Sequence, residues 1–185
     1  TQFLQQGCQV VSANQYYDIY ILNTCTVTHV ADSKARQRLR SIRRASPDSY
    51  IVATGCYAER DRKDILEHSE VDLVVGNNGK QSLVQSILDA WNFAPTEEGN
   101  LDDDHVSNIG RVRSMLKIQE GCNQVCAYCI VPKVRGREKS IPPYQLVENI
   151  QSLVDKGCRE VVLTGTQLGS YGFDLVDFGL TKLIR

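Results

Sequence analysis

The 185 residues contain no run of 18 apolar residues and no signal peptide. No membrane-spanning helix is therefore expected, and the reading places the chain in the cytoplasm with no membrane partner. A surplus of one charge is also missing: 21 Lys and Arg against 22 Asp and Glu leave a net charge of −1. Global electrostatics thus give no reason to expect DNA, and any case for RNA must rest on a local patch. There are no low-complexity segments and no internal repeats. With 42% hydrophobic and 23% charged residues the chain reads as globular, not disordered. Its length allows one large or two small domains. Histidine is scarce, and none of His29, His68 and His105 sits in a partner motif. Both ends read as cut: Thr1 opens in mid-pattern without an initiator methionine, and Leu180 to Arg185 starts a helical pattern and stops.

Cysteine is what the chain has in number. Seven cysteines would suit a secreted disulfide scaffold only in a smaller, loop-rich chain. Here they lie among helix and strand patterns, which favours a reducing compartment and metal ligation. Cys122, Cys126 and Cys129 are spaced C-x3-C-x2-C, with no other cysteine within 20 residues and no histidine nearer than His105. A structural zinc site wants four ligands. A four-iron cubane held by three thiolates keeps one iron open, and an open iron can bind substrate or cofactor. The spacing argues for a catalytic cluster. An electron-transfer iron–sulfur protein and a zinc-binding module remain the alternatives from other classes.

Along the chain, residues 1–7 read as the end of a helix, 9–11 as a short strand, 18–22 as a buried strand and 28–45 as a helix. Further strands are expected at 49–53 and 72–75, with helices at 61–68 and 81–91. Strands alternating with helices imply an α/β unit with an open parallel sheet. Ligands of such sheets bind beyond the carboxyl ends of the strands, and Cys25 and Cys56 each follow one. The helix at 28–45 buries Ala35, Leu39 and Ile42. At ~100° per residue it gathers Arg36, Arg40, Arg43 and Arg44 on another side, a candidate RNA-binding face. Residues 92–108 are polar and acidic and read as a linker. A strand at 113–119 runs into the three-cysteine loop, a helix follows at 141–156, and a second strand at 160–164 ends in glycines. Cys8 and Cys158 read as packing residues.

The flanks of the cysteines carry a resemblance. GCNQVCAYCIVP, followed by Arg135, Gly136 and Ser140, resembles the radical S-adenosylmethionine methylthiotransferases. NTCTVT at 23–28 and GCYA at 55–58 resemble the amino-terminal domain of the same family. The resemblance implies a flavodoxin-like methylthiotransferase domain at 1–93, a linker at 94–112, and at 113–185 the first βαβ part of a partial (β/α) radical-SAM barrel. It implies one [4Fe-4S] cluster on Cys122, Cys126 and Cys129, chelating S-adenosylmethionine and reducing it to a 5′-deoxyadenosyl radical. A second [4Fe-4S] cluster would take Cys25 and Cys56, with its third ligand absent from this chain. Tyr128, Thr164 and Gly165 are the implied cofactor contacts, and Arg135 and Arg137 candidate anchors. The motifs are most similar to the branch adding a 2-methylthio group to N6-threonylcarbamoyladenosine 37 of tRNA. Branches acting on N6-isopentenyladenosine 37 or on a ribosomal-protein aspartate are the alternatives. The implied partners are tRNA and an electron donor.

Overall fold

In the computed structural model, residues 2–12, 15–26, 28–68, 70–91 and 113–185 are described. The expected linker at 94–112, with His105, lies outside them. The chain divides into two units, Thr1–His105 and Val106–Arg185.

The first unit is built on three parallel strands, β1 (Ile19–Thr24), β2 (Tyr50–Gly55) and β3 (Leu73–Val75), in the order β1-β2-β3. Their connections carry α2 (His29–Ala45), then α3 (Cys56–Arg60) and α4 (Arg62–His68); α1 (Gln2–Gln5) precedes the sheet and α5 (Leu83–Trp91) follows it. Strand β2 is buried from Ile51 to Gly55, which is why its sequence is not alternating: a central parallel strand is covered on both faces. Helix α2 starts where the Thr28 hydroxyl accepts from the Ala31 amide at 3.1 Å and stops at Ser46, ahead of Pro47. Its buried stripe of Ala35, Leu39 and Ile42 packs with Ile51, Ala53, Tyr57, Ile65 and Val74.

The second unit is one βαβ crossover. Strands β4 (Arg113–Glu120) and β6 (Glu160–Gly165) are parallel and joined through α7 (Pro143–Asp155), with Pro at the first turn of the helix. A two-residue strand β5 (Lys139–Ser140) pairs antiparallel on the other side of β4, giving the order β5-β4-β6. Short helices α6 (Val131–Arg135) and α8 (Leu180–Ile184) complete it. Ile118, Leu146 and Tyr171 form the buried centre, with Leu116, Leu163 and Phe178 against them.

The expected α/β class and parallel sheet are present. One expected element is not: residues 9–11 form no strand, and Val10 and Val11 are 59% and 42% exposed. Among the described residues no strand pairs with these three, and a ladder needs such a partner for its backbone donors.

Candidate functional site

The register of the first sheet brings two sequence-distant cysteines to one edge. Thr24 pairs with Gly55, so Cys25 and Cys56 are the next residues beyond the carboxyl ends of adjacent strands. Cys25 is exposed, between Thr24 and Thr26, which are each 4% exposed. Those threonines hold the loop. The Thr24 hydroxyl donates to Thr54 O at 2.6 Å and accepts from the Ala58 amide at 3.3 Å. Thr26 accepts from Arg60, whose guanidinium also pairs with Asp32 at 2.9 Å. Cys56 is buried at the start of α3, and its Sγ accepts from the Asn77 side-chain amide at 3.6 Å. Tyr57 of α3 belongs to a half-buried polar cluster. Arg36 Nη1 donates to Tyr57 Oη at 2.6 Å and to Asp64 at 3.1 Å, while the Tyr57 hydroxyl donates to Asp64. Burial first, then the Asp64 bond, pushes the Tyr57 pKa up, so the phenol keeps the proton it donates.

The second site is a single loop. Cys122 and Cys129 are half-buried, and Cys126 is exposed. All three line one cavity of about 550 Å³ with Tyr128, Lys133 and Arg137. Tyr128 is 96% exposed at its edge. The loop leaves β4 through Gly121, and its return is held where the Cys122 amide donates to Gly136 O at 3.2 Å. Arg135 reaches Thr166 at 3.4 Å, tying this loop to the one after β6.

A residue not singled out from the sequence does more of that tying. Gln119 is 1% exposed. Its amide nitrogen donates to Gly121 O at 2.9 Å, and its amide oxygen accepts from the Gln167 N–H at 2.9 Å. It therefore fixes the exits of β4 and β6 to each other. Gly165 is small for the same reason, since a Cβ there would lie 3.0 Å from Gln119 Oε1. Thr164 turns its hydroxyl to Leu116 O at 3.3 Å, a bond within the sheet. A glutamine at an inward strand position was the available signal.

Three thiols on one loop, with no carboxylate among the cavity-lining residues, are a soft donor set suited to iron–sulfur ligation. Among the described residues no three Cys, His, Asp or Glu side chains already stand as a metal-holding group. The loop has the donors and the space, and metal binding normally draws such side chains together.

The four arginines expected to share one face of α2 are not equivalent. Arg36 is turned to Tyr57 and Asp64. Arg43 donates to Pro47 O at 2.8 Å, Ser49 O at 2.9 Å, Glu70 O at 3.1 Å and Asp72 at 2.5 Å. Arg40 and Arg44 are exposed. Helical spacing alone could not show that α4 and the residue ahead of β3 bring carboxylates to the inner flank of that arc. Cys158 is buried, with its thiol 3.2 Å from Glu160 O, while Cys8 is only half-buried.

Comparisons with known proteins agree with this division. Residues 1–76 match the model of the uncharacterized protein family UPF0004, and residues 116–178 match the radical SAM superfamily. A threonylcarbamoyladenosine tRNA methylthiotransferase MtaB of Aquifex aeolicus is 39% identical over 184 residues, covering 94% of this chain and 44% of its own length. Over nearly its whole length the chain is similar to methylthiotransferases, and its second unit matches the radical SAM superfamily. It spans less than half the length of the curated relatives it matches. The Bacillus subtilis MtaB is 36% identical over 98% of this chain and 42% of its own. A tRNA-2-methylthio-N(6)-dimethylallyladenosine synthase of Desulforamulus reducens is 34% identical over 88% of this chain and 39% of its own. Among solved structures, the radical S-adenosylmethionine methyltransferase TsrM of Kitasatospora setae superposes with a TM-score of 0.51. It covers 83% of this chain and 38% of TsrM, and at 15% identity the likeness concerns the fold alone.

Proposed function

We propose that this chain carries the cluster-binding part of a radical-SAM methylthiotransferase that adds a 2-methylthio group to N6-threonylcarbamoyladenosine 37 of tRNA. The observation that carries the reading is the three-cysteine loop in a radical SAM fold, in a chain whose relatives include several named for that reaction. Cys122, Cys126 and Cys129 would hold a [4Fe-4S] cluster with one iron left for S-adenosylmethionine. That bound pair supplies the radical able to take hydrogen from an unactivated C–H bond, which no polar side chain can do. Cys25 and Cys56 would hold part of a second cluster at the edge of the first sheet. The residues of the chain then do the arranging. Gln119 keeps the cluster loop and the Gly165–Thr166 turn in a fixed relation. Lys133 and Arg137 give the cavity a cationic rim that suits a carboxylate. The implied partners are tRNA and an electron donor.

The isopentenyladenosine branch is the second reading, favoured by the likeness to the Desulforamulus synthase. One experiment separates them. The full-length protein, reconstituted anaerobically with iron and sulfide, should cleave S-adenosylmethionine to 5′-deoxyadenosine under dithionite. Its Cys126→Ala form should lose both the cluster absorbance and the product. In tRNA from a strain lacking the full-length gene, the 2-methylthio form of threonylcarbamoyladenosine should vanish and that of isopentenyladenosine persist. The reverse pattern favours the second branch, and neither change refutes both.

A further inference from the structure

Helix α2 holds six Lys or Arg and a single acidic residue in 17 positions. The fold divides those cations. Asp32, Ala35, Leu39 and Ile42 are buried, and Arg36 and Arg43 are turned to carboxylates on the flank of the buried side. Lys34, Arg38 and Arg44 are exposed, with Gln37 and Ser41 exposed between them. At 3.6 residues per turn and 1.5 Å per residue, the three cations fall within an arc of about 120° and along about 15 Å. Among the described residues none of the three is ion-paired. The one acid of the helix, Asp32, is 2% exposed and paired with Arg60, so it does not offset them.

The chemistry of this face selects its partner. It offers cations separated by hydroxyl and amide side chains, with Val30 the one large apolar side chain exposed on the helix. Protein interfaces are anchored by clusters of aromatic and aliphatic groups, and a single valine makes no such cluster. Phosphate backbones are contacted by Lys and Arg together with Ser and Gln. We propose that Lys34, Arg38 and Arg44 form a docking surface for the phosphate backbone of an RNA substrate. This differs from the face expected from helical spacing: Arg36 and Arg43 are turned to carboxylates, Arg40 lies outside the arc of about 120°, and Lys34 and Arg38 come in. It rests on the reading of the substrate as tRNA. The contacts would position the RNA without reading its sequence.

The test compares reconstituted full-length protein with its Lys34→Gln/Arg38→Gln/Arg44→Gln variant, binding a fluorescent tRNA transcript between 50 and 200 mM salt. The variant should bind roughly 10-fold or more weakly, and the slope of log K against log salt should shrink by about 2–3, close to one per lost contact. Its melting temperature and RNA-independent cleavage of S-adenosylmethionine should match the parent. Single Lys34→Gln and Arg38→Gln variants, each reducing the slope by about 1, cover the case of a poorly folding triple. Equal affinity and slope in parent and variants overturns the docking surface while leaving the tRNA reading intact. A parent that cleaves S-adenosylmethionine yet binds no tRNA overturns the substrate reading, and the surface with it.

Discussion

Each unit carries a glycine–cysteine step at the end of a strand, and the two steps are built differently. Gly55 precedes Cys56 at φ 103°, and Gly121 precedes Cys122 at φ 75°. A side chain at Gly55 would place its Cβ 2.3 Å from Thr24 O, the backbone of the neighbouring strand. At Gly121 the Cβ would lie 2.0 Å from Arg137 O, the backbone of the loop's own return. The first glycine is hemmed in by the sheet, and the second by the loop it opens. The cysteines follow suit. Cys25 and Cys56 follow different strands and are placed at one sheet edge by register. Cys122, Cys126 and Cys129 share one loop around an open cavity, and no strand pairing sets their relative positions.

Replacing the two glycines with alanine is the sharpest way to break that comparison. Gly55→Ala must either separate β1 from β2 or strain the step, so a loss of roughly 3 kcal/mol from the first unit is expected. It should be read as a fall in the denaturant midpoint of the circular-dichroism transition. Gly121→Ala should leave that transition in place and instead raise hydrogen exchange across residues 121–138. Equal global losses from both would show that the three-cysteine loop is as deeply integrated as the sheet.

The next contrast lies within one helix. Arg43 joins the end of α2 to the starts of β2 and β3 through three carbonyls and Asp72, whose carboxylate also accepts from the Ile51 amide at 2.6 Å. Its side chain is 18% exposed. Arg43→Ala leaves those acceptors short of a donor and should cost about 2–3 kcal/mol. Arg44→Ala, one residue on and exposed, should stay within about 0.5 kcal/mol. Paired urea titrations check both, and a similar loss at the two positions would contradict the division between them.

Those neighbours show where the sequence was readable and where it stopped. Strand–helix alternation and the buried run from Ile51 onward could be read directly, because period and burial are local properties. So could the shared edge of Cys25 and Cys56, which follows from parallel topology alone. What could not be read was which element faces which. Arg43 and Arg44 are the same residue type on one helix, and only the arrival of Asp72 and of the Pro47, Ser49 and Glu70 carbonyls makes one of them structural. Gln119 looked like an ordinary strand residue until the loop after β6 was placed beside it. The two-residue β5 is too short for any periodicity. The strand expected at 9–11 had the right residues, but no strand among the described residues pairs with it.

The smallest effect concerns how the segment after β6 is fastened in the second unit. Asp174 Oδ2 accepts from the Ser140 amide at 2.8 Å, Ser140 Oγ accepts from the Gly172 amide at 2.9 Å, and the Tyr171 hydroxyl donates to Ile141 O at 2.8 Å. Burial acts to raise the Asp174 pKa, but the bonds to Ser140, with Lys139 nearby, more than offset it, and the carboxyl sits below its ordinary value. A depressed carboxylate contributes stability that is full above the unfolded pKa, near ~4, and is lost as pH falls through the lower folded one. Asp174 is exposed, so solvent screening keeps the contribution small. Asp174→Asn should therefore be slightly less stable than the parent at neutral pH, and the gap should close on acidification below pH ~4. The Tyr171 hydroxyl bond has no carboxylate in it, so Tyr171→Phe should lower stability by an amount that does not change across that acid range. A pH-independent gap for Asp174→Asn would mean that the Ser140 amide is held by shape and not by the charge of its acceptor.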